Sequence, residues 1–146
     1  TGDGAGILLQ VPHKLFEREC ALGRILEPET GKPLAALPPA GKYAVGLVFS
    51  SPDPQAAALA KLIFAMVVRQ EGQQLLGWRR VATDNRSLGQ TARSVEPVMD
   101  HVFLAPGPDV ADDAAFERKL YVIRKRYQTT IRTSGIDDTK YFHVPS

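Results

Sequence analysis

Tyr43-Ala44-Val45-Gly46-Leu47-Val48-Phe49, running through Ser51-Pro52-Asp53-Pro54 into the apolar stretch 56–68, decides the fold class. The first seven residues alternate with period two, which predicts a strand. Tyr43, Val45, Leu47 and Phe49 share one face, and Ala44, Gly46 and Val48 share the other. The small face lets a second layer approach closely. Asp53 is placed to cap a helix whose first residue is Pro54, where a missing N–H costs nothing. That helix is predicted to run to about residue 71 and to stop at Gly72. Leu59, Leu62, Ile63, Phe64, Met66, Val67 and Val68 spread over more than the ~100° stripe of a surface helix, which predicts cover on more than one side.

Outward from this strand–helix pair the same signals recur. Residues 6–11 (GILLQV), set between glycines and Pro12, read as a buried strand. Residues 13–22 carry Leu15, Phe16, Glu19 and Cys20 at helical spacing, with Gly23 as the stop. Residues 27–42, with Pro28, Gly31, Pro33, Pro38, Pro39 and Gly41, read as a long loop. Residues 74–81 (QLLGWRRV) read as a strand in which Gly77 marks a bulge or a close approach. The polar run 82–97 reads as a loop and 98–104 as a further strand. Asp112 or Asp113 caps a helix through about Arg126, whose stripe is Phe116, Leu120, Ile123 and Tyr127. A last strand or turn is predicted over 141–144. Strand–helix–strand–helix–strand–strand–helix–strand is the order of a mixed α+β or α/β layered domain.

Composition fits one such domain. The chain has 146 residues, 44% apolar and 23% charged, with a formal net charge of +2. This excludes a disordered tail and gives no whole-protein charge argument for nucleic acid or an acidic membrane. A single cysteine, Cys20, excludes a disulfide framework or a multi-cysteine metal site and fits a reducing compartment. The apolar run 56–68 is interrupted by Lys61 and is too short to span a bilayer. With a polar start lacking a basic n-region, a soluble, cytoplasmic protein is expected.

No catalytic set emerges from residue types alone. Thr1 invites comparison with N-terminal threonine nucleophiles, whose own α-amine is the base; the plainer reading is an ordinary residue at the start of the sequence. Gly2-Asp3-Gly4-Ala5-Gly6 precedes a strand instead of opening a helix, which suits a tight turn better than a phosphate cradle. The cations Arg118, Lys119, Arg124, Lys125 and Arg126 read as a solvated helix face rather than a nucleic-acid groove. His13, His101 and His143 stand too far apart for a local zinc site. Asp84, Arg86, Arg93 and Glu96 lie on the polar loop, where a small polar ligand could bind.

Three longer stretches, taken in order, are more informative. They are Thr1-Gly2-Asp3-Gly4-Ala5-Gly6-Ile7-Leu8 with Val11-Pro12-His13; Gly77-Trp78-Arg79-Arg80-Val81 with Thr83-Asp84, Leu88-Gly89, Thr91-Ala92-Arg93 and Glu96-Pro97; and Phe116-Glu117-Arg118-Lys119-Leu120-Tyr121 with Arg124-Lys125. Tyr43-Ala44-Val45-Gly46 adds a fourth. This combination resembles the N-terminal class II glutamine amidotransferase domain of the glutamate synthase large subunit, across essentially the whole chain.

The resemblance implies an α+β fold of the N-terminal-nucleophile hydrolase type. Residues 1–146 would be part of one such domain, a partial four-layer αββα sandwich lacking its first and last strands. It implies an N-terminal cysteine nucleophile that hydrolyses glutamine, with ammonia passed on for glutamate formation from 2-oxoglutarate. FMN and an iron–sulfur cluster would sit in other domains, and the remaining domains of the chain would be its partners. On the same ground the nucleophile is expected upstream of Thr1, Cys20 does not inherit its role, and no glutamine-binding residue maps onto the chain, so the segment alone is expected to be inactive. Supporting roles fall to Asp3, Gly4 and Gly6 beside the nucleophile strand. Gly77, Trp78, Arg79, Thr83, Asp84, Arg93 and Glu96 would form a loop that shapes the surface near the site or its contact with the synthase core. Two other readings stand beside this one: a stand-alone, non-catalytic binding or assembly module of the same fold, and a self-processed threonine hydrolase.

Overall fold

A computed structural model describes residues 12–81 and 98–134. Three helices and three strands lie among them. The strands are β1 (Ala44–Ser50), β2 (Gln74–Arg80) and β3 (Val98–Ala105). The helices are α1 (His13–Ala21), α2 (Pro54–Gln70) and α3 (Asp113–Thr133). The strands form one antiparallel sheet in the order β1-β3-β2, so the last strand in sequence is the central one. Both outer strands run antiparallel to β3, with Val45 opposite Phe103 and Arg79 opposite His101. β1 and β2 are therefore parallel to each other, and α2 joins them around the slot that β3 fills.

The period of two sorts the side chains as expected. Ala44, Val48, Trp78, Val102 and Leu104 enter one core together with Phe64, Val67 and Val68 of α2 and Phe116, Leu120, Ile123, Tyr127 and Ile131 of α3. Phe64 is its hub, edge-on to Trp78 at 5.5 Å and to Tyr127 at 5.2 Å between ring centres. Val45 and Phe103 point the other way, into a smaller core with Phe16 and Cys20 of α1, Ile25 and Tyr43. Leu34 and Leu37 pack against this second core, so part of the proline-rich segment serves as a wall. The described residues thus show one sheet covered on both faces.

Helix boundaries follow the local chemistry. Asp53 accepts a hydrogen bond from the Gln55 backbone N–H at 3.2 Å, and Asp112 one from Ala115 at 2.8 Å. Gly23 and Gly72 take φ values of 76° and 78° just beyond α1 and α2, a region that glycine enters without steric cost. One expectation needs correction. α3 continues to Thr133 instead of ending near Arg126, because Ile131 extends the buried stripe one turn past Tyr127 and outweighs the modest helix propensity of Thr129 and Thr130. α2 is covered on more than one side, by the sheet and by α3, while Leu59 and Leu62 remain 47% and 67% exposed. The strands predicted over 6–11 and 141–144 and the loop over 82–97 lie outside the described residues.

Candidate functional site: charged networks around the GWRR strand

β2 carries the described part of the sequence-predicted site, and its alternation divides those residues between the two faces of the sheet. Within β2, Gly77 is where another backbone comes close. Leu26 and Trp78 exchange both backbone hydrogen bonds at 2.9 Å, adding a short bridge to the outer edge of β2. A Cβ on Gly77 would lie 2.6 Å from the Leu26 carbonyl oxygen, so only glycine lets the bridge form. The register of β2 against β3 also shifts between Leu75 and Gly77, as a bulge requires.

Trp78 turns into the α2–α3 core, where the Lys61 Nζ stands 5.0 Å from its ring centre. On the same face Arg80 Nε donates to Asp100 Oδ1 at 3.0 Å, and Lys61 Nζ lies 3.5 Å from Asp100 Oδ2. Asp100 is 2% exposed. A buried carboxylate needs such cations around it, because taking its charge out of water is otherwise very costly.

Arg79 points to the opposite face, toward α1. Its Nε donates to Glu19 Oε1 at 3.0 Å, and Arg24 Nη1 donates to Glu19 Oε2 at 2.9 Å. Glu19 sits on the apolar stripe of α1, 5% exposed. Burial alone would push its carboxyl up; the hydrogen bond and charge of Arg79, with those of Arg24, outweigh this and hold it below the ordinary carboxylate value. Arg79 Nη1 also lies 3.1 Å from His101 Nδ1. A guanidinium can only donate, so this ring nitrogen accepts and the imidazole is neutral. Burial first, and then the Arg79 charge, lower the pKa of His101. Phe16 and Phe103 both meet the His101 ring edge-on, at 5.1 Å and 6.3 Å.

These contacts make Arg79 the link among α1, β2 and β3. Both carboxylate oxygens of Glu19 are occupied by guanidinium groups, so the network is suited to holding the helix on the sheet and not to moving protons. Cys20, one residue further along α1, is 7% exposed and donates to the Leu34 carbonyl oxygen at 3.4 Å. Burial raises its thiol pKa, the opposite of what a nucleophile needs.

Of the supporting residues named from sequence, Gly77, Trp78 and Arg79 lie within β2 itself. Asp3, Gly4, Gly6, Thr83, Asp84, Arg93 and Glu96 fall outside the described residues, as does Thr1. Sequence reasoning missed Glu19, Arg24, Lys61, Asp100 and His101 as parts of ionic networks. A glutamate on an otherwise apolar helix stripe and an aspartate inside a strand were the available signals.

The sequence model of the family described as glutamine amidotransferases class-II matches residues 1–146. The chain is 38% identical over 138 residues to the glutamate synthase [NADPH] large chain of Bacillus subtilis, covering 94% of this chain and 8% of that protein. It is 34% identical to the glutamate synthase [NADH] of Schizosaccharomyces pombe, over 99% of this chain and 6% of the relative. Against the chloroplastic ferredoxin-dependent glutamate synthase of Oryza sativa it is 30% identical, over 97% of this chain and 8% of the relative. The chain thus spans less than a tenth of the length of each of these relatives.

Proposed function

Because this chain belongs to the class II glutamine amidotransferases, we propose that it is part of the glutaminase domain of a glutamate synthase. In that enzyme the domain would release ammonia from glutamine for glutamate formation from 2-oxoglutarate. The observation that carries this reading is the similarity to NADPH-, NADH- and ferredoxin-type glutamate synthases along nearly the whole chain.

Within this reading the attacking thiol comes from sequence outside residues 1–146, and the layered sandwich is completed there too. Cys20 does not serve, because its sulfur is buried, hydrogen-bonded and shifted away from the thiolate. The role proposed for this chain is structural support. The Arg79–Glu19 pair fixes α1 to the sheet, and Gly77 admits the Leu26 bridge, just ahead of residues 82–97, where Thr83, Asp84, Arg93 and Glu96 are assigned the surface around the site. The donor set does not suit an iron–sulfur cluster, which needs several thiolates where this chain has one cysteine. That cluster and the FMN are accordingly placed in other parts of the enzyme.

Ammonia release from glutamine tests the proposal, measured on the 146-residue chain and on the natural-length protein. Activity is expected only in the latter, unchanged by Cys20→Ser. Turnover by the 146-residue chain alone, or its abolition by Cys20→Ser with the fold intact, would overturn the reading.

A further inference from the structure

We propose that the outward stripe of α3 formed by Arg118, Tyr121, Lys125 and Arg132 docks onto an acidic protein surface in the remainder of the same polypeptide; this rests on the glutamate synthase reading above. Arg118, Lys125 and Arg132 recur every seven residues, close to two helical turns, so they form one line of roughly 21 Å along the helix. All three are exposed. Asp113 and Glu117 lie in the first turns of the helix, but no Asp or Glu stands three or four residues from Arg118, Lys125 or Arg132 along it, so none of the three has a carboxylate at the spacing that pairs side chains on a helix. The other cations of α3 are engaged differently. Lys119 and Arg126 contact Glu71 at 3.2 and 2.9 Å, on the side facing α2, and Arg124 is buried.

The stripe also has an apolar centre. Tyr121 and Val122 are 56% and 37% exposed. Arg124 Cζ and Lys125 Nζ lie 5.4 Å and 5.6 Å from the centre of the Tyr121 ring. Exposed tyrosine flanked by arginine is the composition enriched in protein interfaces. Among the described residues no carboxylate pairs with these three cations, and such cations favour carboxylates on the partner and set the register in which it lands. Three cations beside one aromatic ring, in a chain of net charge +2, favour a protein over a nucleic-acid backbone. The relatives supply a place for the partner, since more than nine-tenths of their length lies outside the matched region.

Carbodiimide treatment of the natural-length enzyme tests this, because the reagent joins an amine to a carboxylate only where the two touch. Lys125 is expected to couple to Asp or Glu side chains outside residues 1–146. Arg118→Glu with Arg132→Glu should cut that yield by about tenfold through like-charge repulsion, whereas Arg118→Lys with Arg132→Lys should preserve it. Unchanged amide exchange in α2 shows that the reversed variant still folds. Coupling of Lys125 to no carboxylate, or only to carboxylates within residues 1–146, overturns the proposal. So does ultraviolet cross-linking of co-purified nucleic acid to residues 118–132. Ammonia release from glutamine, assayed on the same preparation, separates the two claims. The cross-link without ammonia refutes the glutaminase reading, and ammonia without the cross-link refutes the docking.

Discussion

Arg79 of β2 donates from Nε to Oε1 of Glu19 in α1 at 3.0 Å, joining residues sixty apart in the chain. It is the main polar tie between the first helix and the sheet, and Arg24 closes it from the other side at 2.9 Å. The pair makes the attachment of α1 depend on pH. A carboxylate whose folded pKa is depressed stabilises the fold above the unfolded pKa, and that contribution is lost as pH falls through the folded value. The contribution of Glu19 to the protection of α1 amides should therefore be level near neutrality and be lost as pH falls through the ordinary carboxylate range and below it. Glu19→Gln should lower protection at neutral pH and flatten this acid limb. Hydrogen exchange of peptides covering α1, read from pH 3 to 7, checks both; a limb that persists unchanged in the variant refutes the assignment.

His101 shifts in the same direction, downward, though here the fold favours the neutral form instead of the charged one. Its folded pKa lies below the ordinary histidine value, so the unfolded chain takes up the proton first. Stability then declines as pH falls below the unfolded histidine pKa, and levels off only below the folded one. Arg79→Met should move the His101 pKa upward by removing the adjacent charge. Imidazole hydrogen–deuterium exchange followed by mass spectrometry reads this directly, and an unmoved pKa contradicts the contact.

Gly77→Ala should loosen the bridge between Leu26 and Trp78. The added methyl would meet a backbone oxygen at 2.6 Å, and backbone cannot rotate aside as a side chain can. Overpacking of this kind costs about 1–3 kcal/mol. Faster exchange at the Leu26 and Trp78 amides, with α3 unaffected, is the expected pattern.

Tyr127→Phe should cost nothing, and a gain of up to about 1 kcal/mol is expected. The Tyr127 ring is fully buried against Phe64, but among the described residues its hydroxyl has no hydrogen-bond partner. Burial without a partner pushes the phenol pKa far upward. Removing an oxygen that was desolvated without compensation leaves the packing intact. Slower exchange in α3, or none changed, fits; a large destabilisation would mean that the hydroxyl is bonded.

The 146-residue chain expressed alone is expected to self-associate. Among the described residues β1 pairs only with β3, and an edge of that kind is a template for pairing with a second molecule. Leu59 and Leu62 add exposed apolar surface. Melting followed at several concentrations checks this, and a sharp, concentration-independent transition of a monomer would contradict it.

How much of this was legible in the sequence depended on whether a feature is local. The alternation over 43–49, the caps at Asp53 and Asp112, the stop at Gly72 and the irregularity at Gly77 are set by neighbouring residues, and each was readable. The length of α3 was not, because Ile131 is helical on account of what it packs against. The ionic networks were hidden for the same reason: Glu19 and Arg79 meet only after the sheet forms, and nothing near Glu19 announces its partner. Strand order was equally invisible, since periodicity says which residues face a core and not which strand lies beside which.

That order governs how the protein can be made. A ribosome delivers β1, α2 and β2 before β3, yet the two early strands have no pairing with each other and wait on either side of an empty lane. Nascent chains that have not yet reached residue 98 therefore hold two sticky rims apart with a single helix. Chaperone contact, or a pause in translation that postpones residue 98, should matter more to the yield of this protein than any change on its finished surface.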